Sequence, residues 1–150
     1  MLQSDFPPLD DEEIEQLTQA RLERRALLDR KPVCVINVIL EEEALRRQIG
    51  TAEAMHDQYK HLVACAERPN VVIQVMPSRL GAHAGLRGPM TVVETPEQTS
   101  LVYTEALGKS LLVSKPDEVG ILARRYAMIS RQALRPEESV DAITQLAGEL

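Results

Sequence analysis

NVVIQVMPSRLGAHAGLRGPMTVVETPEQTSLVYTEAL, residues 70–107, is the stretch on which the reading of the fold turns. It begins with a nearly unbroken apolar run, Val71 to Met76, which predicts a buried strand that Pro77 brings to an end. A loop with three glycines follows, Gly81, Gly85 and Gly88, carrying Arg87 and His83, the one histidine outside a helical pattern. Beyond it, about Pro89 to Glu94, Leu101 to Ala106 and Ser110 to Val113 read as a meander of three strands. Pro96 lies in the first connection and Leu107-Gly108-Lys109 in the second. Tyr103 and Glu105 alternate along one strand and therefore share a face, which either lines a pocket or rims the sheet. Any ligand is expected to meet the chain in this stretch.

Working upstream, Thr51 is an N-cap for a helix whose apolar positions Met55, Tyr59, Leu62, Val63 and Ala66 repeat at helical spacing. His56 and His61 lie five apart, share no face, and predict no metal pair. Val33 to Leu40 is apolar and largely β-branched, and is expected to be a buried strand. Strand, helix, strand predicts a right-handed crossover between parallel strands. Glu41-Glu42-Glu43 at its end is either an acid at the carboxyl end of a strand or simply a favourable first helical turn.

Residues 1–30 read as a linker, Met1 to Pro8, followed by a helix from about Asp11 to Asp29 with a weak stripe of Ile14, Leu17, Leu22, Leu27 and Leu28. Its Arg21, Arg24 and Arg25 are either a solvated, salt-bridged face or an arm against a neighbouring domain. Downstream, Ser114 and Asp117 suggest a capping box. Val119, Leu122, Ala123, Tyr126, Ile129 and Ala133 form the strongest amphipathic stripe in the chain. Pro136 starts a last helix, and the two are expected to form a C-terminal hairpin. The expected fold is α+β: a five-stranded mixed sheet with one crossover helix, a linker helix and that hairpin, with residues 31–150 as a single sensor or interaction domain.

The chain is the size of one domain, able to bury roughly two thirds of its unfolded surface without a disulfide or metal. Cys34 and Cys65 sit in apolar runs and read as small buried hydrophobes. No stretch has the apolar length to span a bilayer, and the N-terminus lacks signal-peptide order. A cytoplasmic location, with no membrane contact, is therefore expected. A net charge of -6 and few aromatics argue against this segment gripping nucleic acid by itself.

Phosphate-loop, dinucleotide, zinc-protease and nucleophile-elbow motifs are absent, so no catalytic residue, metal or cofactor is expected. The loop Gly81 to Gly88 either cradles an anion or small ligand, with His83 and Arg87 as polar contacts, or only turns the chain. An enzymatic alternative is a metal-dependent hydrolase or nuclease using Glu42, His83 and Glu105, although nothing in their spacing demands it.

The order Glu42-x-x-Leu45-Arg46-Arg47-x-x-Gly50, Met55-x-x-Gln58-x-x-x-Leu62, Asn70-Val71-x-x-Gln74-Val75-x-Pro77, Gly81-Ala82-His83-x-Gly85-Leu86-x-Gly88-Pro89 and Val102-Tyr103-x-Glu105 resembles a known family. This is the C-terminal domain of unknown function that follows an XRE-type helix-turn-helix in actinobacterial regulators of the WhiJ-like group. The match covers nearly the whole chain, including Asp11-Glu12-Glu13-Ile14 to Arg21-Leu22-Glu23-Arg24 as the linker helix. Two departures stand out: the helix-turn-helix is missing, and Met90 follows Gly88-Pro89 where the family often has an aromatic.

The resemblance implies a sensing or interaction module, and the residues expected to do the binding are Glu42, Gln58, Gly81, His83, Gly85, Arg87, Tyr103 and Glu105. The implied partner is a small acidic protein encoded nearby or a small-molecule effector. DNA would be met only through the absent domain. A homodimer through the C-terminal helices is a further expectation.

Overall fold

The computed structural model describes residues 8–106 and 109–150; most of the expected linker and the Leu107-Gly108 part of the last connection lie outside them. The class is α+β as expected, with helices α1 (Asp11–Glu23), α2 (Glu42–Arg46), α3 (Ala52–Ala66), α4 (Pro116–Gln132) and α5 (Pro136–Gly148). The strands are β1 (Ile36–Glu41), β2 (Val71–Met76), β3 (Met90–Glu94), β4 (Ser100–Ala106) and β5 (Lys109–Val113).

The expected single mixed sheet is instead two sheets. β1 and β2 pair in parallel with Ile36 opposite Val71, as the crossover reading requires, and β3-β4-β5 form a separate antiparallel meander. What keeps the two apart is visible at the outer edge of β2. Val75 gives its carbonyl to the Leu134 N–H at 2.8 Å and its own N–H to Ser139 Oγ at 3.0 Å. The turn between α4 and α5 thus occupies the edge a further strand would need, since a backbone group already paired has no bond left for a ladder.

Two cores follow from two sheets. The first gathers Leu45, Met55, Tyr59, Val71, Ile73, Val75, Ile143 and Leu146, and the Tyr59 hydroxyl donates to the Leu45 carbonyl at 2.7 Å. The second is Val102, Val113 and Val119 with Met90, Val92 and Leu122 packed around them. The expected helix hairpin is corrected accordingly: α4 packs on β3 and β4, whereas α5 packs on α2, α3 and β2, so each helix covers a different sheet.

Smaller corrections are local. The first helix turns to a 3-10 coil over Arg24–Asp29, and its start is fixed by an Asp10–Glu13 capping box. Helix α4 has Pro116 in its first turn and no side-chain cap, so the Ser114 box does not form. The run Val33 to Val35 precedes β1 and is exposed, Cys34 with it, while Cys65 is half-buried. An edge strand of a two-stranded sheet offers one partner, so the flanking apolar residues find nothing to pack on.

Candidate functional site

The carboxyl ends of the parallel strands carry one polar cluster. Glu41 closes β1, Glu42 opens α2, and the chain leaving β2 runs through Pro77 into a 3-10 turn, Ser78–Leu80. The helical-turn reading of the acidic triplet is the one observed, with Glu42 and Glu43 in the first turn of α2, and Glu42 also reaches across the strand end. Its Oε2 accepts the Ser78 N–H at 2.9 Å and its Oε1 accepts Arg46 Nε at 2.8 Å; Arg46 continues to Glu149 at 3.0 Å. The Ser78 N–H above all, and then the Arg46 guanidinium, hold the Glu42 carboxyl below the usual carboxylate value.

That shift carries a testable sign. A lowered folded pKa contributes stability above the unfolded value and loses it as pH falls through the folded one. Glu42→Gln is expected to cost about 1 kcal/mol near neutral pH, where the charged acceptor is lost. In urea titrations the gap between variant and parent should close on acidification below the ordinary carboxylate range. A gap that stays constant with pH would remove charge from the account.

The loop Gly81 to Gly88 is held from inside. The His83 side chain is only 4% exposed, and its Nδ1 accepts the Gly85 N–H at 3.1 Å. With Nδ1 as acceptor, the neutral ring carries its proton on Nε2, which faces Glu41 Oε2 at 3.3 Å. Gly85 sits close against the His83 ring, where a Cβ would lie 3.0 Å away and the ring would have to give by a few tenths of an ångström. Gly81 is required by conformation, with φ at +67°. The second turn of the loop, Ala84–Arg87, rests on α4, while Leu86 and Arg87 face outward. His83 thus frames the loop.

The other expected site residues lie apart from this cluster. Tyr103 and Glu105 do share a face, but it is the outer face of the antiparallel sheet, away from the Val102 core. There they line a cavity of about 540 Å³ with Thr91 and Val93 of the sheet and Leu17, Ala20, Arg21 and Arg24 at α1 and its end. Gln58 is exposed on α3 and lines neither this cavity nor a smaller one of about 230 Å³ beside Glu42, Arg46 and Arg79. Among the described residues no three His, Cys, Asp or Glu side chains converge as a metal would need, and Glu42, His83 and Glu105 form no common set. The α1 wall was missed by sequence reasoning, although Arg21 and Arg24, one turn apart beside Leu17, were its visible signal.

No described helix is long and apolar enough to cross a membrane. Neither curated proteins nor solved structures yield a match to this chain. The family described as Domain of unknown function (DUF5753) matches residues 1–145, nearly the full length, and the chain belongs to that family.

Proposed function

We propose that this chain is the partner- or ligand-binding part of an XRE-type transcriptional regulator of the actinobacterial WhiJ-like group, working in the cytoplasm with a DNA-binding domain that lies outside it. Family membership and the resemblance in motif order support the placement, and a net charge of -6 suits a domain that leaves phosphate contacts to another. The observation that carries the binding role is the loop frame. The buried His83 ring accepts the Gly85 N–H through Nδ1 and sets Nε2 3.3 Å from Glu41, which favours a preorganised loop on which Leu86, 65% exposed, stands with Arg87.

A leucine beside an arginine is a hydrophobic anchor with a charge-selective neighbour, and Arg87 favours an acidic partner surface. The expected occupant is the small acidic protein encoded beside such regulators. Helix α1, which contributes no buried residue, is the element through which occupancy would pass to a neighbouring domain. Titrating that small protein against the full chain should give binding that Leu86→Asp with Arg87→Ala weakens at least about thirtyfold, the scale of a lost hot spot. Gln58→Ala, on another surface, should leave it intact. Equal affinity in all three chains removes the loop from the proposal. Light scattering on the same samples reads any homodimer.

A further inference from the structure

Helix α1 is well started and poorly covered. Asp10 Oδ1 accepts the Glu13 N–H at 2.8 Å and Glu13 returns the bond to the Asp10 N–H at 3.0 Å, yet none of its 13 residues is buried. A helix of that length is marginal alone and normally gains its stability by packing an apolar stripe. Leu17 and Leu22 are exposed instead. Across from Leu17, the outer side of the antiparallel sheet exposes Val93 and Tyr103, and the gap between is the cleft of about 540 Å³, within the range that small-molecule sites occupy.

The charge in this gap is specific. Arg21 and Arg24 stand on the helix side, and neither takes part in an ion pair among the described residues. One carboxylate, Glu105, lies on the sheet side, while the Tyr103 hydroxyl is engaged with Ser110 Oγ at 2.9 Å. Two guanidiniums against one carboxylate leave the cavity locally positive in a chain that is negative overall.

We propose that the cleft between α1 and the β3-β4 face binds a small amphiphile with a single anionic head, a carboxylate or phosphate monoester. The head is held by Arg21 and Arg24, and the apolar body lies between Leu17, Ala20 and Val93. Glu105 on the opposite wall orients the ligand by repelling a head group placed on the sheet side. Bound in this way, the ligand supplies the cover that α1 lacks and ties the helix to the sheet. The site shares no residue with the loop, so its failure and the failure of partner docking are separate results.

Isothermal titration of the full chain with decanoate, decyl phosphate, decanol and decylamine, each below its micelle concentration, tests the assignment. One or both anions should bind, and the head that does so identifies the class. Arg21→Ala with Arg24→Ala should weaken that binding by about tenfold or more, and Val93→Trp should block it by filling the cleft. Amide hydrogen exchange across residues 11–23 should slow on binding in the parent chain and stay unchanged in the arginine variant, a readout that nonspecific adsorption would not move. Binding of decanol or decylamine as tight as that of the anions, anion affinity indifferent to both arginines, or no binding of either anion would each overturn it.

Discussion

Replacing Ile143 with alanine is expected to lower the unfolding free energy by about 3–4 kcal/mol, a large share of what a domain of this size usually has. Ile143 is fully buried at the centre of the first core, where α5 meets α3 and β2. Removing its outer carbons forfeits their transfer energy, and β2, fixed by its ladder to β1 and by the α4-α5 turn, limits how far the site can collapse. Urea unfolding should report a lower midpoint with an unchanged slope. The same change should loosen the end of α5, where Glu149 holds Arg46 and through it Glu42. A loss below about 1 kcal/mol would show that α5 does not anchor this core.

Ser139→Ala should cost about 2 kcal/mol although it removes a single oxygen. The side chain is fully buried, its Oγ accepts the Val75 N–H at 3.0 Å, and its own proton goes to the Arg135 carbonyl at 2.8 Å. Val75 is itself 1% exposed, so the alanine variant strands a backbone donor where water does not reach. Amide exchange isolates the effect: the Val75 amide should exchange faster by more than the global loss of stability explains. Unaltered exchange at Val75 would mean that another acceptor replaces the hydroxyl. The hydroxyl stands where a third strand would otherwise pair, so this prediction also tests why the sheet stops at two strands.

How much was legible depended on the range of the signal. β2 was bounded to the residue, because a run of five apolar residues broken only by Gln74, set between Asn70 and Pro77, reads locally as a buried strand. Thr51 capped α3 as expected, its hydroxyl accepting the Ala54 N–H at 3.1 Å, since a cap acts within one turn. The strands β3, β4 and β5 fell within one residue of their expected limits for the same reason. Of the two cysteines expected to be buried, Cys65 packs half-buried against the first core, whereas Cys34 lies in an apolar run that ends up exposed just outside β1.

The candidate site was legible as a set of residues and not as an arrangement. Gly81, Gly85 and His83 were marked by type alone. That His83 turns inward, so that Leu86 and Arg87 become the presented side chains, depends on Glu41 arriving from another strand. Tyr103 and Glu105 were correctly placed on one face by the two-residue period of a strand. Which element covers that face depends on where α1 comes to lie, some 80 residues earlier in the chain.

Local patterns alone were enough for most of the elements, the Thr51 cap, the parallel and antiparallel pairings of neighbours, and the α+β class, because each follows from periodicities and bonds spanning a few residues. It took the packed chain to settle that five strands make two sheets, that α4 and α5 serve different cores, and that Arg21 and Arg24 line the same cleft as Glu105. Those outcomes rest on competition for single groups far apart in sequence, such as the Val75 amide taken by Ser139, and no local pattern records which competitor wins.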